Sequence, residues 1–170
     1  MLKSIKEHFS TTATEDLGDE IAADDIASSI FLIIVNSFFG VYFLAHQTAS
    51  TGFFTAEFNT LELVLLYGII IYWITTSGLM LLGQKHPSRD LDSYGGLFFA
   101  TVALLWLIIV FPFEFDLFAD ALPEFLEFLL AWMSNEIALV LLMVLCVGHL
   151  IAAGYSLILR LYVRQARRQA

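Results

Sequence analysis

The chain has 170 residues, 59% of them hydrophobic and 15% charged, with a formal net charge of −9. A soluble domain runs at roughly 45–50% apolar and about 25% charged, so the composition excludes a disordered chain and an ordinary soluble enzyme. The acidic balance excludes nucleic acid as a partner, because a phosphate backbone needs a basic surface, and a mean hydropathy of +0.79 points to a membrane protein.

Residues 1–25 carry Glu7, Glu15, Asp16, Asp19, Glu20, Asp24 and Asp25 and read as an acidic tail. Lys3 and Lys6 are followed by polar residues rather than an apolar core, which does not fit a cleavable signal. Leu2, Ile5 and Phe9 form one short apolar stripe, a hint of a surface-lying helix.

Four apolar runs follow, at 26–46, 61–83, 95–113 and 137–161, and none has a charge in its interior. At about 1.5 Å per residue, runs of about 19–25 residues cross a hydrocarbon core of about 30 Å. The runs are continuous, whereas a barrel strand alternates polar and apolar residues. A helix also satisfies its own backbone groups in lipid. The expected fold is an all-α membrane protein with a four-helix transmembrane bundle over 26–162, followed by a basic tail at 163–170.

The connector Gln47–Thr60 is rich in Ser, Thr and Gly. Gln84–Tyr94 is polar, with His86-Pro87 starting a turn and Asp90 or Ser93 able to cap the next helix. In Glu114–Glu136, Asp116, Asp120, Glu124 and Glu127 interrupt a run of Phe and Leu. Pro123 suits a first helical turn, so residues 123–133 are expected to form a short amphipathic helix lying in the membrane interface. That segment is too short and too charged to span.

Every Lys and Arg falls on alternate connectors. Lys3 and Lys6 precede the first run, Lys85 and Arg89 lie between the second and third, and Arg160, Arg164, Arg167 and Arg168 end the fourth. This asymmetry predicts that both termini are cytoplasmic and that the protein is a multi-pass protein of the cell membrane. It leaves the inner side at net −1 and the outer at −8. The outer acids are Glu57, Glu62, Glu114, Asp116, Asp120, Glu124, Glu127 and Glu136, expected as a solvated rim. Such a field would concentrate cations at low ionic strength.

Three polar positions fall near mid-depth: Asn36, the pair Thr75 and Thr76, and His149. Polar groups at that depth are costly in lipid and should face protein. His149 is expected to act as hydrogen-bonded glue, with a proton-relay or ligand role as the rival. Small residues at Gly148, Ala152 and Ser156 recur every four positions, with His149 and Ala153 beside them. Gly96, Ala100 and Ala103 form a similar face, as do Ser29, Asn36 and Gly40. Small residues let helices approach closely.

The lone cysteine, Cys146, has no partner for a disulfide or a redox pair. No nucleotide-binding loop, serine elbow or zinc-protease motif is present. His46 and His149 differ in depth by about 15 Å at helical rise, more than one haem bridges. The sequence therefore implies no catalytic site and no cofactor. It implies a non-catalytic accessory or scaffolding subunit, with the bilayer and a homo-oligomer or larger membrane complex as partners. The alternative is a small oligomeric transporter or cation channel using the acidic mouth and the Asn/Thr/His cluster.

The charge asymmetry makes a direct prediction. In a Cys146→Ser background, single cysteines at Lys85 and Asp120 should react with an impermeant maleimide from opposite faces of sealed vesicles. Labelling of both from one face would overturn the topology.

Overall fold

A computed structural model describes residues 23–83 and 91–169. The acidic tail and most of the second connector, with His86-Pro87 and Asp90, lie outside the described residues.

Helix α1 spans Ala23–Ala49 and α2 spans Thr60–Leu81. A π-helix at Asp92–Ala100 runs into α3 at Thr101–Val110. Two 3-10 helices follow, at Phe115–Ala121 and Glu124–Leu129, and α4 runs from Asn135 to Gln169. Among the described residues there is no strand. One isolated antiparallel bridge joins Phe54 to Phe113.

Three helical stretches are long and apolar enough to cross a membrane: Asp25–Ala49, Thr60–Leu81 and Asn135–Ile158. Only 17%, 33% and 17% of their most apolar windows are buried, so most of that surface faces outward, as lipid-facing helices require.

The helix ends follow from local chemistry. Asn59 and Glu62 form a capping box at the start of α2. Gly83, at φ +75°, takes the left-handed turn that ends it, two residues before the expected boundary. Ser50, at φ +52°, turns the chain after α1.

The third apolar run departs from expectation. It is not one α-helix over 95–113. Its first half is wound with more residues per turn, and the apolar helix Tyr94–Val110 is shorter than the other three. The Thr101 amide bonds back five residues to the Gly96 carbonyl, and its hydroxyl donates to the same oxygen at 2.9 Å. Gly95 and Gly96 offer no side chain to resist the wider turn. Phe111 then enters the left-handed region at φ +42°, and Pro112 cannot continue the ladder, so the helix stops at Val110.

Two further expectations change. Residues 123–133 form no α-helix. They hold the second 3-10 helix, which has no buried residue. Too few apolar contacts are available there to carry a longer helix. Residues 163–169 are no separate tail, because α4 continues through them.

α1 packs on α2, and α4 packs on the π-helix and α3. The core is unequal along its length. At the end shared by the α1–α2 and α3–α4 connectors, Phe53, Phe113 and Phe118 are buried, with Phe43, Phe54, Phe58, Phe111 and Phe115 against them. The bridge fastens this end: the Glu114 amide donates to the Phe53 carbonyl at 2.7 Å, and the Thr55 amide to the Pro112 carbonyl at 3.1 Å. Further along, the contacts are made by Ala100, Ala103, Ala153 and Gly96.

Phe53 is the hub, with 0% exposure and ring centroids of His46, Phe54, Phe113, Phe115 and Phe118 within 5.5 Å. Phe53→Ala should lower stability by about 3–5 kcal/mol, measured by reversible unfolding in mixed micelles. Phe31→Ala, on the outward face of α1, should change it far less.

Candidate functional site

The mid-depth polar residues spend their hydrogen bonds on backbone. Asn36 is buried, and its Nδ2 donates to the Leu32 carbonyl one turn earlier at 2.8 Å. Thr75 is exposed and its hydroxyl donates to the Ile71 carbonyl at 2.7 Å. Thr76 is buried and donates to the Trp73 carbonyl at 3.0 Å. His149 instead reaches across the bundle, with Nε2 3.2 Å from the Gly96 carbonyl. A carbonyl only accepts, so Nε2 carries the proton. The ring stands edge-on to Tyr72 and Trp73, with centroids 6.2 and 5.9 Å away.

This contact depends on Gly96. A Cβ there would lie 2.9 Å from the Tyr72 hydroxyl, 3.1 Å from His149 Nε2 and 3.4 Å from the Ala153 Cβ. The Gly96 carbonyl thus accepts from the Thr101 amide, the Thr101 hydroxyl and His149. The π turn supplies the widening that lets one oxygen meet three donors.

The small-residue faces divide. Gly96, Ala100 and Ala103 lie inside the bundle, as do Ser29 and Asn36 on α1. The ridge expected at Gly148, Ala152 and Ser156 is displaced. Gly148 and Ala152 are exposed, Ser156 is half-buried, and a Cβ on Gly148 would meet nothing within 4 Å. The packed line of α4 is Ala138, Cys146, His149 and Ala153. One residue turns a helix by about 100°, so adjacent positions such as His149 and Gly148 face different ways.

The acids expected at the rim differ in burial. Glu57, Asp116, Asp120, Glu124 and Glu136 are exposed, while Glu114 and Glu127 are half-buried. Glu136 accepts from the Ser134 hydroxyl at 2.7 Å. Glu114 accepts from Asn135 Nδ2 at 2.6 Å, and Asn135 Oδ1 accepts the Phe115 amide at 2.7 Å. Glu62 is the exception, at 2% exposure. Its Oε1 accepts the Trp106 indole N–H at 2.8 Å and its Oε2 the Asn59 amide at 3.2 Å. Glu62 is a capping residue bridging α2 to α3. The Asn-x-x-Glu spacing just before an apolar run was the signal for it.

A second node was not anticipated. Tyr42 and His46, one turn apart on α1, both point at Phe118 of the first 3-10 helix. The Tyr42 hydroxyl donates to the Phe118 carbonyl, and His46 Nε2 lies 3.1 Å from the same oxygen. His46 Nδ1 is 2.6 Å from the Thr51 hydroxyl, whose oxygen accepts the Phe53 amide at 3.3 Å. The i, i+4 spacing of Tyr42 and His46 was visible; their shared target, 76 and 72 residues away, was not. Beside His46 an open cavity of about 270 Å³ is lined by His46, Gln47, Ser50, Gly52, Phe54 and Phe58. The Tyr67 hydroxyl donates to Gln47 Oε1 at 2.9 Å on that side.

Among the described residues, no three of His, Cys, Asp and Glu gather closely enough to hold a metal ion. Comparison with protein families, characterised proteins and solved structures gives no match, so function rests on this geometry.

The two glycines give opposite expectations. Gly96→Ala should destabilise by about 1–3 kcal/mol, because Tyr72 and His149 must shift. Gly148→Ala, into open space, should be neutral or slightly stabilising. Thermal unfolding of the two variants in the same detergent checks the pair.

Proposed function

We propose that the chain is a four-span integral membrane protein that serves as a non-catalytic accessory or scaffolding subunit of a membrane assembly. The third crossing is the run Tyr94–Val110, which need not be fully lipid-facing because Ala100, Thr101, Ala103, Leu104 and Leu107 are buried against neighbours. The Phe54–Phe113 bridge supports that count. It joins the end of α3 to the α1–α2 connector, at the opposite end of α2 from where the third run begins. The charge asymmetry assigns this bridged end to the outside and both termini to the cytoplasm. Phe125, at 75% exposure, with Phe128, Leu129 and Trp132, makes residues 123–133 an apolar edge in the outer interface.

One observation carries the functional reading: Asn36, Thr75 and His149 each engage a backbone carbonyl. A transport path needs polar groups turned to a passing ion or solute. Asn36 and Thr75 bond within their own helices, and His149 ties α4 to the π-helix instead. The acidic rim, for its part, surrounds a packed phenylalanine cluster. Gly148 and Ala152 leave a flat strip on the outward side of α4, the kind of surface on which another transmembrane helix packs closely.

Affinity purification from native membranes in mild detergent should bring down a membrane partner in fixed stoichiometry. Gly148→Leu should lower that recovery at least five-fold without changing thermal stability. Proteoliposomes should pass protons and potassium no faster than empty vesicles. A flux abolished by His149→Ala would overturn the subunit reading and establish the transporter.

A further inference from the structure

The Tyr42–His46 node fastens the 3-10 segment 115–129 across the end of α1, and its proton inventory is fixed. We propose that His46 is a proton-responsive latch: neutral, it holds this segment closed over the phenylalanine cluster; protonated, it releases it.

In the closed arrangement Nε2 carries the only ring proton, since the Phe118 carbonyl cannot donate. Nδ1 is then a lone pair that accepts the Thr51 hydroxyl proton. In the neutral ring these two partners satisfy both nitrogens. A second proton on Nδ1 turns Thr51 from donor to acceptor. Its oxygen already takes the Phe53 amide, and its own hydrogen must leave for another acceptor. The charge would sit on a ring of 1% exposure, enclosed by Phe53 at 4.5 Å, Tyr42 at 4.9 Å and Phe118 at 5.8 Å between centroids. Burying a charge without a partner is costly. The open cavity beside His46 leaves the ring only 1% exposed, so fuller hydration of the charge requires the segment to move away.

The ionisable groups on the packed elements do not remove that cost. Tyr42, on α1, donates its proton to Phe118. Asp120, on the 3-10 helix, attracts the imidazolium but is itself exposed to water, which screens it. Tyr67, on α2, is engaged with Gln47. Glu57, in the connector, is exposed. The faces of Phe53 and Phe118 offer cation–π attraction, weaker than the hydration that burial removes. This latch stands whether or not the protein is an accessory subunit.

The test is hydrogen exchange on the full chain in nanodiscs at pH 8 and pH 5, with protection corrected for intrinsic exchange. The Leu117, Leu122 and Leu126 amides close the turns of the segment and report its opening. Their protection should fall at least ten-fold at pH 5, while amides in the middle of α2 stay unchanged. His46→Gln should abolish the pH dependence. Tyr42→Phe should lower protection at both pH values and retain it. In the wild-type chain, imidazole ¹⁵N signals should show His46 as the Nε2–H tautomer at pH 8, titrating with the midpoint of segment opening. Protection equal at both pH values, a pH effect that survives His46→Gln, or an imidazole that titrates without opening would each overturn the latch.

Discussion

In hydrocarbon a polar group has no water to turn to, and this constraint shapes the protein from end to end. Helices answer it for the backbone. Where a side chain brings an extra donor to mid-depth, the answer is a carbonyl with spare capacity. Asn36 and Thr75 use the carbonyl one turn back on their own helices. His149 has no such option and must cross to another element. Gly96 provides the target because its turn is wide and its Cβ is missing. The irregular winding of the third run and the placement of the histidine are thus one solution to one requirement.

The two ends of the bundle are held by different means. At the end where the third run begins, small residues let α4 approach the π-helix, and stability there comes from close backbone contact. The opposite end carries two long connectors, one of them holding the two 3-10 helices and both with stretches outside any helix. A short bridge at 53–55 and 112–114 pairs part of that backbone, and phenylalanines from both connectors exclude water around it. Asn135 and Glu114 seal the return into α4, and Glu62 ties the start of α2 to Trp106.

Much of this was legible in the amino-acid order. The apolar runs located the long helices to within a few residues at most ends, because a stretch without charge in lipid has little choice but to be helical. Gly40, Ala100 and Ala103 were read as packing positions and lie inward. Glu62 was misread as rim because acids beside an apolar run are usually solvated; here its oxygens close a cap and meet an indole. Gly148 and Ala152 lie on the outward side of α4; a small-residue ridge shows that a helix can be approached, not by what. The 3-10 segment escaped detection because its alternation of acids and phenylalanines fits an amphipathic helix as well as it fits short turns.

Composition and pattern alone determined the helical class, the approximate lengths of the apolar segments and the alternation of positive charge. These are set within one segment by the cost of charge and of unpaired backbone in lipid. Only the folded arrangement decided which carbonyls His46 and His149 meet, which side of α4 is inward and that eight phenylalanines converge at one end. Those facts depend on contacts between residues as far apart as His46 and Phe118. No local rule of spacing relates two such positions, because their meeting is fixed by how all the helices pack at once.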